Sequence, residues 1–122
     1  MLKDLAAANH YLNFEFSPEA ILMHRDVKLS NIGVASSGAL KLFDFGNSRC
    51  TRRTGRNIYG TYDLTGGIGS IRYMAPEVVL HLPYNEKADV YSFAIIAWYN
   101  LSLTRSFFCI GIQMSNSSYD TQ

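Results

Sequence analysis

The stretch His24-Arg25-Asp26-Val27-Lys28-Leu29-Ser30-Asn31 decides how this chain is read, because Asp44-Phe45-Gly46 follows it at a telling distance. Between the two, Ile32–Ala35 and Ala39–Phe43 read as short strands, and Ser36-Ser37-Gly38 as the loop joining them, with glycine for the unusual backbone angle. Such a hairpin brings Asn31 and Asp44 back to the same end of a small ribbon. Downstream stand a basic-rich loop, Arg49–Arg56, then GSIRYMAPE at Gly69–Glu77 and DVYSFA at Asp89–Ala94. A lone Asp-Phe-Gly is weak, since three residues recur by chance. The ordered set is strong: Asp44 lies eighteen residues after Asp26, Glu77 thirty-three after Asp44, and Asp89 twelve after Glu77.

Working outward, Leu2–Leu12 reads as a helix with Leu2, Leu5, Ala6 and Leu12 on one side and Asn9 interrupting the stripe. Ser17-Pro18-Glu19 is a turn, and Ile21–Met23 a short apolar run into the first motif. Arg49–Gly67 is polar, glycine-rich and without period, which predicts a loop. Pro76–Leu82 predicts a short helix with proline in its first turn. Asn85 is placed to cap a longer helix over Glu86–Leu103. After Phe107 the pattern is lost, which divides the chain into residues 1–107 and a divergent tail, 108–122.

At 122 residues the chain suits one domain with a modest core, and 48% apolar residues argue against disorder. A net charge of +1 points to neither nucleic acid nor an acidic partner. Arg49, Arg52, Arg53 and Arg56 are clustered without interleaved aromatics, so they read as a solvated loop face. Cys50 and Cys109 have no spacing for a disulfide framework or a zinc site, and Asp4 with no long apolar run argues against a signal peptide. These points favour an intracellular, cytoplasmic setting. Phe93–Ile112 is about as long as a bilayer span, but Asn100, Thr104, Arg105 and Ser106 interrupt it. A buried helix is the expectation, with a membrane-attached fragment as the rival. Trp98, Tyr91 and Tyr99 read as helix-packing aromatics.

The ordered motifs resemble the catalytic half of a eukaryotic protein kinase, over roughly Leu2 to Phe107. The stretch YDLTGGIGSIRYMAPEVVLHLPYNEKADVYSFAI looks closest to the tyrosine-kinase-like group. Lys28, with Ser70 facing the catalytic aspartate, looks like the serine/threonine-specific pattern. The resemblance implies ATP and magnesium as cofactors and a protein Ser or Thr hydroxyl as substrate. Phosphoryl transfer needs a positioned hydroxyl, neutralised phosphate charge and held metal ions. Asp26 would then take or orient the hydroxyl proton, and Lys28 would place positive charge beside the phosphoryl group. Asn31 and Asp44 offer magnesium the oxygen ligands it prefers. His24 and Phe45 resemble packing residues that align the loop, and Asp89 the buried carboxylate that bonds its backbone. Arg25 resembles the arginine that receives an activation-loop phosphate, for which Thr51, Thr54, Tyr59, Thr61, Tyr62 and Thr65 are candidates.

Leu29 stands where the family usually has proline, and Asn47-Ser48 where it has an apolar-small pair. The chain shows neither a glycine-rich phosphate loop nor a strand lysine. The fold expected is therefore α+β, mainly helical: a partial kinase-like C-terminal lobe with a small hairpin and the N-terminal lobe absent. The 122-residue chain by itself is expected to be inactive. A non-catalytic docking or regulatory fragment is the alternative, distinguished by partner binding that needs no nucleotide. The faces of the Glu86–Leu103 helix that later helices would cover in the family are expected to be open to solvent.

Overall fold

A computed structural model describes residues 2–57 and 59–102. A first helix, α1 (Leu2–His10), runs into a wider π-type turn over Tyr11–Glu15, closed by the Phe16 amide donating to the Tyr11 carbonyl at 2.7 Å. Four short strands follow: β1 (Ala20–Met23), β2 (Ile32–Val34), β3 (Leu40–Leu42) and β4 (Arg49–Arg52). A single helical turn, α2 (Pro76–Val79), and a long helix, α3 (Lys87–Ser102), come after them, with short 3-10 turns at Leu29–Asn31, Phe45–Asn47, Arg53–Gly55 and Ile71–Tyr73 in between.

The strands form two separate antiparallel ribbons. In one, β2 pairs β3 with Gly33 opposite Lys41, and Gly38 turns the hairpin at φ +82°. The ribbon closes tightly because a Cβ on Gly33 would lie 2.1 Å from the Phe43 ring. In the other, β1 pairs β4 from Ala20–Arg52 to Met23–Arg49. This second ribbon corrects the reading of Arg49–Gly67 as loop throughout. Its first four residues are a strand, hidden from the sequence because β4 is largely exposed and lacks apolar alternation.

Three small apolar clusters hold these pieces together. Leu5, Val27 and Ile96 join α1, the first motif and α3, with Ile32, Leu40, Leu42, Tyr73 and Phe93 packed around them. Ala75, Val78, Tyr84 and Ala88 join α2 to the start of α3, while Ile21, Met23 and Tyr62 lock β1 against the downstream segment. Leu64 touches both of the latter clusters.

Asn9 does not interrupt the buried stripe of α1. It lies on it, 6% exposed, with Nδ2 donating to the Asp89 carbonyl at 3.5 Å, while Ala6 faces outward. A polar side chain is tolerated there because it reaches the backbone of α3. Asn85 caps α3 as expected, its Oδ1 accepting from the Lys87 amide at 2.9 Å. The α3 helix buries Ala88, Asp89, Ser92 and Ile96, a narrow stripe. Trp98 and Leu101 are exposed by 60% and 79%, so Trp98 packs only edge-on against Tyr99 and not into a core. Among the described residues no helix is long and apolar enough to cross a membrane. The rest of the Phe93–Ile112 stretch, Cys109 and the tail 108–122 lie outside the described residues.

Candidate active site

The turn from His24 to Asn31 links β1 to β2 and is built over one buried carboxylate. Asp89, 2% exposed near the start of α3, accepts the His24 amide at 2.7 Å and the Arg25 amide at 2.8 Å. Arg25 has φ +65°, a left-handed conformation that costs a non-glycine residue about 1–2 kcal/mol. Two charge-assisted hydrogen bonds from one carboxylate outweigh that cost. Burial pushes the Asp89 carboxyl above its ordinary value, against the pull of those two amides and the nearby Arg25 charge.

His24 is fully buried, with Nε2 2.9 Å from the Phe43 carbonyl and its ring 4.8 Å from that of Phe45. It therefore ties the turn to the far end of the hairpin. The Phe43 amide donates to the Asn31 carbonyl at 2.9 Å, one step beyond the β2–β3 register. That bond brings Asp44, the next residue, to the same end of the ribbon as Asn31. Asp44 has φ +59°, and its Oδ1 accepts from the Gly46 amide at 3.2 Å. It is exposed, whereas Asn31 is buried.

Asp26 is the centre of the arrangement. Its Oδ2 accepts from Lys28 Nζ at 2.8 Å and from Asn31 Nδ2 at 3.3 Å, and Asn31 Nδ2 also donates to the Asp26 carbonyl at 2.9 Å. Lys28 Nζ donates in turn to Ser70 Oγ at 2.9 Å, joining residues forty-two apart in sequence. Burial opposes ionisation of Asp26, but the hydrogen bonds of Lys28, Ser70 and Asn31 and the Lys28 charge together hold its carboxyl below the ordinary value. Its Oδ1 is buried and has no partner among the described residues. A buried, ionised oxygen without a donor is costly unless something else supplies one, so it marks where a donor fits.

Gly69 lets Ser70 reach this cluster. Its φ is +112°, and a Cβ there would stand 2.3 Å from the Arg25 carbonyl oxygen. The segment thus crosses the turn by backbone-to-backbone contact that only glycine allows.

The sequence-predicted residues Asp26, Lys28, Asn31 and Ser70 are brought into direct contact, and Asp44 is delivered beside Asn31 by the hairpin. Three expectations change. Arg53 is not a solvated arginine: its Nη2 caps the π-type turn through the carbonyls of Asn13, Phe14 and Ser17 at 2.8, 3.3 and 3.2 Å. Arg56 stays exposed but is not unpaired, since its Nη2 lies 2.8 Å from both oxygens of Glu86, which is 4% exposed. Tyr62, a phosphate candidate, is 3% exposed and its hydroxyl accepts from Arg56 at 3.1 Å, while Tyr59 is 83% exposed. Tyr84 was missed altogether, because an isolated aromatic carries no motif signal.

Comparison with known proteins identifies the chain's family and relatives. The family model described as the protein kinase domain matches residues 5–120. Serine/threonine-protein kinase VIK of Arabidopsis thaliana is 41% identical over 97 residues, covering 78% of this chain and 21% of that protein. Dual specificity protein kinase shkA of Dictyostelium discoideum is 40% identical over 98 residues, covering 80% of this chain and 18% of that protein. Serine/threonine-protein kinase STY46 of Arabidopsis thaliana is 39% identical over 77 residues, covering 63% of this chain and 12% of that protein. The chain spans about a fifth or less of the length of these curated relatives. With the family's motifs folded around one buried aspartate and its model matched along most of the sequence, the chain belongs to the protein kinase domain family.

Proposed function

We propose that this chain is the large-lobe part of a protein serine/threonine kinase domain, which in the intact protein moves the γ-phosphate of ATP to a Ser or Thr hydroxyl of a protein. The observation that carries the reading is Asp26, with Oδ2 held by Lys28 and Asn31 and Oδ1 given no donor by the described residues. The substrate hydroxyl is the donor that fits. Its oxygen forms the new bond to the γ-phosphorus as the bond to the ADP oxygen breaks, and its proton passes to Asp26 Oδ1. Lys28 keeps Asp26 ionised and sets a positive charge where phosphate charge develops. Ser70, bonded to Lys28, fixes that ammonium in place.

The donor set fits magnesium. Asn31 has its amide nitrogen occupied by Asp26, which turns its carbonyl oxygen to other use, and Asp44 is an exposed carboxylate beside it. Magnesium takes one or two such protein oxygens and completes its shell with water and phosphates. When bound, Mg·ATP supplies the phosphoryl group and neutralises its charge. Among the described residues no cluster of three or more acidic, histidine or cysteine ligands offers a rival metal site.

We assign residues 1–107 to the kinase domain and 108–122 to a divergent tail. The serine/threonine class is supported by the Lys28–Ser70 contact, and the tyrosine-kinase-like group by the motif stretch around Gly69–Ala94. An intracellular setting is consistent with Cys50, an exposed free thiol. The test is phosphate transfer from Mg·ATP to a Ser/Thr protein substrate by the full-length protein that contains this chain. Asp26→Asn is expected to lower kcat at least a hundredfold, in line with loss of a positioned general base. Equal rates for the two proteins would refute the assignment.

A further inference from the structure

Arg25 does more than stand beside Asp26. Its Nε donates to the Asn47 carbonyl at 2.6 Å, and its Nη1 donates to the Tyr84 hydroxyl at 3.3 Å. The same hydroxyl donates to the Thr65 carbonyl at 3.0 Å. One phenolic oxygen therefore lies between the turn that carries Asp26, the residue just after Asp44-Phe45-Gly46 and the segment that leads to Gly69 and Ser70.

The oxygen is held there by the rest of Tyr84, which is 1% exposed. Its ring packs with Ala75, Val78 and Ala88. Its backbone pairs with Tyr62 in both directions, at 2.8 and 3.1 Å. The guanidinium is fixed from the other side, because the Asn47 carbonyl accepts from its Nε while Asp89 holds the Arg25 backbone amide. Ring, backbone and partner are all anchored, so the hydroxyl has one place to be. A hydroxyl can donate once and still accept, which is what a junction between a cationic donor and a carbonyl acceptor requires. Phenylalanine would fill the same volume and leave both partners facing apolar carbon.

We propose that Tyr84 is a positioning residue whose hydroxyl registers the segment Thr65–Ser70 against the Asp26 turn through Arg25. The inference rests on the phosphotransfer reading for its catalytic meaning, though not for its geometry. It acts through Arg25 and Thr65 and touches no reacting atom.

The test is site-resolved amide exchange on the full 122-residue chain without nucleotide, comparing wild type, Tyr84→Phe and Ser92→Ala. Ser92 is the control: its buried hydroxyl donates to the Tyr73 carbonyl at 2.7 Å, lies 3.1 Å from the Ala88 carbonyl and has no bond to Arg25. Tyr84→Phe is expected to speed exchange at the Ser48 and Gly67 amides about two- to tenfold relative to the β2–β3 ladder, the effect of one or two lost neutral hydrogen bonds. Ser92→Ala is expected to leave that ratio unchanged. A uniform change across all amides, no change at Ser48 and Gly67, or unfolding of Tyr84→Phe would each overturn the positioning role. Because the exchange involves no ATP, retained activity in Asp26→Asn would sink the phosphotransfer reading and leave this result standing.

Discussion

Gly69→Ala tests how the site is assembled more sharply than any change to a charged residue. The new Cβ would stand 2.3 Å from the Arg25 carbonyl oxygen, where about 3.3 Å is the closest comfortable carbon–oxygen approach. One side must move by about 1 Å. Arg25 cannot easily do so, because Asp89 grips its amide and that of His24 at 2.8 and 2.7 Å. The segment at Gly69 moves instead and takes Ser70 with it. A shift of about 1 Å carries Ser70 Oγ from 2.9 Å to beyond bonding distance of Lys28 Nζ. The cost is the φ +112° strain, about 1–3 kcal/mol, plus a hydrogen bond to a charged group, about 1.5–3 kcal/mol. Together they predict a loss of about 2.5–6 kcal/mol by urea unfolding and a melting temperature lower by about 8 °C or more. Gly38→Ala is the internal control, since it shares a positive φ of +82° but has nothing within 4 Å of its Cβ. The Asp26 carboxyl, followed by 13C titration, should also rise toward its ordinary value as Ser70 leaves. Equal destabilisation by the two alanines, with Asp26 unmoved, would refute the crossing contact.

Two further outcomes follow from the carboxylates. Asp89→Ala strands two buried amides and should cost about 2–6 kcal/mol in urea unfolding, while Asp89→Asn keeps one acceptor and should cost about half as much; equal costs would show that the pairing is not what holds the turn. Asp26 is held below the ordinary value of 3.8, so it stabilises the fold above that pH, and this contribution fades as pH falls through its folded value. Asp89 is raised above 3.8, so its contribution declines as pH climbs from there to its folded value. Carboxyl titrations should place Asp26 below and Asp89 above 3.8, and the reverse order would contradict both assignments.

The sequence made the centre of the site legible because its residues come in fixed order with local devices between them. Gly38 turns the hairpin, and the hairpin alone returns Asp44 to Asn31. The features that escaped are those in which distant segments meet. The β4 strand has no apolar alternation, since its stability comes from the β1 ladder and not from burying a face. Asn9 looked like a break in a stripe because its partner, the Asp89 carbonyl, lies eighty residues away. Arg53 and Arg56 looked unpartnered because their acceptors, the Asn13 carbonyl and the Glu86 carboxylate, lie forty and thirty residues away. Tyr84 is one of eight tyrosines, and nothing in its neighbours says that its hydroxyl is a junction.

The β1–β4 ladder also limits how this chain can change length. Met23 faces Arg49, so the polypeptide between them is a closed circuit whose two ends are fixed in register. An added residue near Asn31 or Asp44 would have to be absorbed by a slip of one ladder or the other, and either slip turns side chains to the wrong face. The exposed tip at Ser36-Ser37-Gly38 lies outside both ladders and the Asp26 cluster. Insertions, epitope tags or reporter groups placed there should leave the circuit closed, which makes the hairpin tip the natural port for labelling this protein without disturbing its chemistry.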